Sequence, residues 1–503
     1  MNQLPKSTMR RSPPHPLRLL LLSLPLLLLA CAVGPDYVRP AVETPVVFKE
    51  TAGWKLAQPQ DAVVRTAWWQ AYGDPLLDSL VDQVSISNQT LAQAEANFRQ
   101  ARALVQVGRA GYYPTLGANL TSTRASARNS SGQSTQILGS GNPGTTNNST
   151  SNAGPTTKNT LNLDATWELD LWGRIQRTVE AQRAGVQASA ADLASIRLSA
   201  QAQLTQNYFS LRSLDTQQQL LDRTLADYQR AVDLTQNQFD AGIVAKSNLI
   251  LAQTQFKTTQ AQALDLGVQR AQLEHAIALL IGQAPANFAI SHAQLVAVVP
   301  AIPLTLPSDL LERRPDIAAA ERRMQAANAQ IGVAKAAYFP KLALSATGGA
   351  QSSGFADLLS LANKFWSLGP VLATTILDGG ARQAQMAQAS AAYDGTVATY
   401  RQSVLVGFQE VEDNLAALRI LAQEAIVQDE AVVLARRSVA LTTNQYKAGI
   451  VTYLSVIQVQ ATALNNERAA LDVLNRRLTA SVLLVKALGG GWTAAAPVAA
   501  TRN

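Results

Sequence analysis

The sequence predicts a mostly α-helical chain with membrane-spanning β-strands, built by internal duplication. Three observations carry this. Two stretches of about 67 residues, opening near Trp172 and Leu377, lack proline and repeat apolar residues at every seventh position. Each is preceded by two segments in which apolar and polar residues alternate. Finally, Gln238-Phe239-Asp240-Ala241-Gly242-Ile243-Val244 returns 207 residues later as Gln445-Tyr446-Lys447-Ala448-Gly449-Ile450-Val451.

The 503 residues are only 6% aromatic and rich in Ala, Gln and Leu. That balance suits long, narrow helical packing better than a thick globular core. The formal charge is +7, but Lys6, Arg10, Arg11 and Arg18 precede Cys31, and without them 38 basic face 35 acidic side chains. This is no footprint for nucleic acid, and no nucleic-acid partner is expected.

Residues 1–30 read as a signal peptide. The apolar run from Leu19 to Leu29, interrupted by Pro25, is too short for a transmembrane helix. Leu28-Leu29-Ala30-Cys31 is similar to a bacterial lipobox, whose cysteine is acylated and becomes the first residue; Cys31 is the sole cysteine. Residues 31–74 then form a lipidated, extended N-terminal tether, broken by several prolines. Ala32 after the cysteine, in place of Asp, favours the outer membrane by the same resemblance.

The first repeat spans 75–282. A helix from Pro75 to Gly111, with a break near Ser87-Asn88, stops at Tyr112-Tyr113-Pro114, because proline disfavours helix at the residue before it. Leu116, Ala118 and Leu120 then alternate with polar residues, a strand pattern. Residues 122–159, rich in Ser, Thr, Asn and Gly, read as an exposed, mobile loop. From Leu161 to Leu171 apolar residues alternate with Asn162, Asp164, Thr166, Glu168 and Asp170. Its length and pattern are those of a tilted bilayer-spanning strand. Alone it also suits a two-sided strand of a soluble sandwich; its neighbours favour the membrane.

A long helix to Phe239 follows, with Leu204, Leu211, Leu225, Val232 and Phe239 in heptad register. At about 1.5 Å per residue it would measure roughly 100 Å and pack in coiled-coil fashion. A return helix ends at Leu280-Ile281-Gly282, and residues 283–308, with Pro285, Pro300, Pro303 and Pro307, form a linker.

The second repeat, 309–488, retraces the plan before a tail at 489–503. A helix opens at Arg314-Pro315-Asp316-Ile317 and ends at Tyr338-Phe339-Pro340. Leu342, Leu344 and Ala346 mark a strand, Gly348 to Asn363 a loop, and Trp366, Leu368, Leu372 and Ile376 another strand. Val411, Leu418, Val432 and Val439 sit 207 residues after the first heptad set, whereas the offset before the loop is 226. A length change confined to one exposed loop is what a duplicated scaffold tolerates.

Four strands cannot close a barrel, and lipid offers no partner to an open sheet edge. Three chains would supply twelve strands, so the expectation is a homotrimer.

Taken together, these residues resemble the outer membrane factor family, the TolC/OprM-like channels with their NodT-type lipoproteins. The resemblance covers essentially the whole mature chain. It rests on Val33-Gly34-Pro35-Asp36-Tyr37, Trp167-Glu168-Leu169-Asp170-Leu171-Trp172-Gly173-Arg174, Arg314-Pro315-Asp316-Ile317, Trp366-Ser367-Leu368-Gly369-Pro370 and Asp378-Gly379-Gly380. It implies a trimeric twelve-stranded outer-membrane β-barrel continuous with a long periplasmic α-helical barrel. The implied role is a passive exit duct for drugs, organic compounds or metal ions in a tripartite efflux system. The implied partners are outer-membrane lipid, a periplasmic adaptor (membrane fusion protein) and an inner-membrane pump of the resistance-nodulation-division type.

The resemblance also implies site residues. Ala241, Gly242, Ile243, Ala448, Gly449 and Ile450 become adaptor-docking tips. Leu454, Ser455 and Gln458 become the periplasmic gate. Family members often carry Leu-x-x-Leu-Asp-Ala-Gln at the gate, and here Gln458 stands in place of its Asp. A Gln ring lacks the charge that attracts cations. Leu454 suits an apolar constriction and, equally, a helix-packing leucine. No cofactor is expected beyond the covalent lipid on Cys31, and no metal.

A type I protein-secretion duct is the alternative of the same architecture. An enzyme is not expected: of His15, His275 and His292 none has ligand-spaced companions, and no nucleophile constellation occurs. A soluble coiled-coil scaffold would explain the heptads but not the alternating strands.

Overall fold

The computed structural model describes residues 32–42, 44–45, 47–50, 67–125, 155–296, 299–300, 302 and 313–491. The leader, Cys31, the segment 126–154 and the end of the tail lie outside them. After a 3-10 turn at Trp68–Tyr72, the elements are α1 (Pro75–Ser87), α2 (Gln89–Ala110), β1 (Thr115–Ala125), β2 (Thr156–Leu169), α3 (Arg174–Asp240) and α4 (Lys246–Leu280). The second half supplies α5 (Pro315–Ala336), β3 (Lys341–Ser352), β4 (Lys364–Ala373), α6 (Ala381–Lys447) and α7 (Tyr453–Ala487). The two long helices are 67 residues each and the two return helices 35 each, so the duplication holds to the residue. No helix among the described residues is long and apolar enough to cross a membrane.

The chain divides into two compact units. The first comprises Met1–Tyr37, Leu104–Gln182 and Ala327–Ala392. It holds a four-stranded antiparallel sheet in the order β1-β2-β3-β4. The strands outrun their apolar cores. β1 reaches Ala125 and β2 begins at Thr156, so the loop expected from 122 to 159 is shorter at both ends. Polar residues extend the ladder there because their side chains also bond across it, as Ser122 Oγ does to Asn159 Oδ1 at 2.7 Å.

At its other end β2 stops at Leu169, two residues earlier than its pattern suggests. Asp170 leaves the strand to cap α3, its carboxylate accepting from Ile175 N (3.0 Å) and Gln176 N (2.7 Å). β3 runs on through Gly348 and Gly349, which the sequence suggested as loop. Glycine is required at 349: a Cβ would lie 2.3 Å from Leu161 O. Ile376, expected in the last strand, falls beyond Ala373 and is 92% exposed.

The start of the expected tether, residues 32–37, lies outside helix and strand and is pinned within this unit, whereas Trp68–Tyr72 at its other end form a 3-10 turn rather than extended chain. Val33 N donates to Trp172 O, Arg177 reaches Asp36 at 2.8 Å, and Asn328 Nδ2 donates to Pro35 O.

The second unit comprises Val38–Ala103, Arg183–Ala326 and Tyr393–Asn503. Its core joins Trp68, Trp69, Tyr72, Leu77 and Val81 to Leu204, Tyr208, Leu211, Ile277 and Leu478. A second cluster seats Phe48 against Val411, Leu415 and Leu484. The heptad leucines therefore face neighbouring helices, which is why a helix of modest overall hydrophobicity keeps its apolar register.

Each return helix ends in the same device. Gly282 and Gly489, both at positive φ, close a Schellman turn in which Gln283 N bonds Ala278 O and Gly490 N bonds Val485 O. The preceding carbonyls are capped by unlike side chains, Asn88 Nδ2 on Leu280 O at 2.7 Å and Arg314 Nη1 on Ala487 O at 3.1 Å.

Candidate functional site

Register assigns every strand residue to one of two faces, since directly paired residues of an antiparallel ladder share a face. Leu116 pairs Ala165, Ala118 pairs Leu163 and Leu120 pairs Leu161. These pair onward to Ala346, Gly348 and Ala350, then to Leu368, Trp366 and Lys364. Trp167 and Leu169 join the same face through Leu344 and Leu342, which pair Pro370 and Leu372. Large side chains toward its edges are open: Leu116 is 75% exposed, Trp366 81%, Leu368 70% and Leu372 69%. From Leu161 to Leu169 the apolar band rises about 20–25 Å for a tilted strand, the height of a membrane barrel's lipid-facing belt.

The opposite face is mainly polar, with Gly117, Asn119, Thr121, Asn162, Asp164, Thr166, Ser345, Thr347 and Ser367, and includes the apolar Ala343, Phe365 and Val371. Thr347 Oγ1 donates to Asp164 Oδ1 at 2.8 Å, and Asn162 Nδ2 also donates to that carboxylate. Glu168 is paired bidentately with Arg174 at 2.9 Å. Below the band, Trp172 stacks on Phe339 at 4.8 Å and its Nε1 donates to Pro340 O, while Trp167 Nε1 donates to Tyr112 O. Such tryptophans, apolar with one polar tip, suit a membrane boundary. The outer edges of β1 and β4 have no strand partner among the described residues.

The repeated segments form two hairpin tips of one geometry. Gly242 N bonds Phe239 O and Ile243 N bonds Gln238 O; Gly449 N bonds Tyr446 O and Ile450 N bonds Gln445 O. Gly242 and Gly449 both have φ 73°, the left-handed value this cap requires. Nothing lies within 4 Å of where either Cβ would be, so the demand is conformational. Ala241 and Ala448 are exposed beside them, and Ile243 and Ile450 are 72% and 71% exposed.

Sequence reading missed what joins the tips. Tyr446 OH donates to Gln238 Oε1 at 2.9 Å, and Tyr446 lies 5.4 Å from Tyr453 between ring centroids. Tyr446 replaces the Phe239 of the first copy, so the bond is a product of divergence between the repeats. The only signal was that Phe-to-Tyr difference, whose partner on another helix no local pattern reveals. Tyr453 packs with Ala252, Val456 and Ile457, and burial pushes its phenol up to about 12.

Leu454 and Gln458 sit on the exposed side of α7, one turn apart, with Leu454 47% exposed and Ser455 half-buried between them. The residues that pack inward are Tyr453, Val456 and Ile457. Within this chain Leu454 is therefore not a packing leucine. Cys31, the lipidation candidate, lies outside the described residues.

Among the described residues no group of three or more His, Cys, Asp or Glu could hold a metal ion. His275 stands on α4, and His292 Nδ1 lies 2.9 Å from Asp215 in a structural ion network.

The family model described as "Outer membrane efflux protein" matches residues 80–283 and 306–490. The chain is 31% identical over 474 residues to the pyoverdine export outer membrane protein OpmQ of Pseudomonas aeruginosa, covering 94% of this chain and 96% of that protein. It is 28% identical over 471 residues to the toluene efflux pump outer membrane protein TtgI of Pseudomonas putida, covering 93% and 97%. The solved outer-membrane channel OprN superposes with a TM-score of 0.82 at 28% identity, covering 92% of this chain and all of that one.

Proposed function

The chain belongs to the outer membrane efflux protein family, and on that premise we propose that three copies close one barrel and form the outer-membrane channel of a tripartite efflux system. The observation that carries this reading is the sheet: one open apolar face, one mainly polar face, and two long edges without strand partners among the described residues. A lipid-facing sheet must close on itself, and pairing β4 of one copy with β1 of the next does so. The apolar face then meets lipid and the polar face lines the lumen.

A second stripe supports the same assembly. Ile420, Val427, Leu434 and Leu441, each seven residues apart on α6, are 51%, 66%, 65% and 56% exposed. A heptad stripe uncovered in one chain is the seam a second copy of this chain would cover. Lipid on Cys31 would tether the pinned N-terminal segment to the same membrane.

In this reading the cargo is small solutes, of the kinds named for the relatives, pyoverdine and toluene among them. Energy comes from an inner-membrane pump acting through a periplasmic adaptor. The six tips of a trimer, presenting Ile243 and Ile450 on tight glycine turns, are the adaptor's docking surface. Leu454, Ser455 and Gln458 narrow the periplasmic mouth.

Single-channel recording tests the channel and its gate together. Wild type should conduct, and Gln458→Asp should raise cation preference or alter closure, because a ring of carboxylates at a constriction attracts cations. Traces indistinguishable from wild type would remove Gln458 from the constriction. No conductance from the wild-type trimer would contradict the channel.

A further inference from the structure

We infer that Asp164 sets the charge preference of the conduit inside the membrane, making the barrel itself selective for cations and against anionic solutes. This rests on the proposed barrel, in which the polar face of the sheet lines the lumen.

Asp164 is the one described carboxylate of that face without a cationic partner. The polar-face residues of β1 and β4 are uncharged. β2 contributes Lys158, Asp164 and Glu168, and β3 contributes Lys341. Glu168 is neutralised by its two-pronged pairing with Arg174. Lys158 is six residues from Asp164 along β2, and Lys341 is six residues from Thr347, the register partner of Asp164. At about 3.3 Å per residue the backbones of both lysines stand roughly 20 Å away. That is about two Debye lengths at physiological salt, so neither cancels the carboxylate's field.

The local contacts hold this charge without quenching it. Thr347 Oγ1 and the Asn162 amide are neutral donors that fix the carboxylate in place without adding a compensating charge. Its partner on the β1 side is Gly117, which has no side chain to cover it. On the other face of the same strand stand Leu163 and Ala165, in the middle of the apolar band. Asp164 is thereby at the depth of the bilayer, where the low-dielectric wall strengthens the field across the lumen. Three copies place three negative charges at one level.

The test is the reversal potential of the full-length trimer in planar bilayers under a KCl gradient. At about 0.1 M salt wild type should favour K⁺, and Asp164→Asn should lower the cation-to-anion permeability ratio about threefold. The difference should vanish near 1 M, where the Debye length shrinks to about 3 Å. Asp164→Cys guards against a folding defect in the amide variant. Its loss of selectivity should be restored by a negatively charged methanethiosulfonate reagent and deepened by a positively charged one, neither of which should alter wild type. Wild-type conduction with an unchanged permeability ratio in both variants would overturn the assignment to Asp164 and leave the channel standing. A wild-type trimer that does not conduct would overturn both.

Discussion

Replacing Asp215 by alanine should destabilise the second unit by about 3–5 kcal/mol, because it strands the buried Arg212 guanidinium and the largely covered one of Arg270. Asp215 is fully buried and accepts from Arg212 Nη1 at 3.1 Å, Arg270 Nε at 2.8 Å and Ala293 N at 3.2 Å. Arg212 also donates to Ser291 O and lies 5.0 Å over the Tyr208 ring, and Arg270 also donates to Ile290 O. Glu274 completes the clamp by accepting from Ile290 N. The stretch from Ile290 to Ala293 is thus tied to α3 and α4 by charge in addition to the apolar burial of Ile290 in the core. Thermal unfolding and limited proteolysis should detect the loss together, with new cleavage between 290 and 296. A variant with wild-type melting temperature and proteolytic pattern would show that Arg212 and Arg270 are satisfied without Asp215.

Gly282→Ala should cost about 3 kcal/mol or more, while Gly242→Ala should cost about 1 kcal/mol, although both glycines have nearly the same positive φ. The left-handed strain is common to both. What differs is space: a Cβ at 282 would lie 2.1 Å from Ser87 O, whereas nothing approaches one at 242. Ser87 Oγ donates to Ile281 O and Asn88 Nδ2 to Leu280 O, so the backbone at Ser87 cannot retreat without releasing both caps. Comparing the melting temperatures of the two variants checks this, and equal losses would mean that strain alone decides.

The helices were legible from the sequence to within a residue or two because proline, heptad spacing and the Ala-Gly-Ile turns each act locally. The break at Asn88 was legible for the same reason. Strand ends were not. β2 looked longer at its helix end because Leu171 continues the alternation, but Asp170 is worth more as a cap on α3. It looked shorter at its loop end because Thr156–Thr160 has no apolar alternation, and pairing with β1 and β3 supplies what pattern could not.

The site was legible in part. The tip residues were readable because the same seven residues recur. The Tyr446–Gln238 bridge, the exposure of Leu454 and the isolation of Asp164 depend on which helices and strands become neighbours. That is set by packing across hundreds of residues of sequence. The duplication helped by showing where the copies diverge, at Phe239 and Tyr446, and at Asn88 and Arg314.

In the proposed assembly the sheet of one chain is a third of a closed barrel in the outer membrane. Cysteine cross-linking in outer-membrane fractions tests it most directly, with one cysteine scanned along the outer edge of β1 and another along that of β4. Among the described residues both edges lack a strand partner, and they border a sheet whose strand order keeps them apart within one chain. Cross-links between copies at one consistent register, giving a ladder that ends at the trimer, are the predicted result. A monomer in the soluble periplasmic fraction, or a ladder ending at two or four copies, would contradict it.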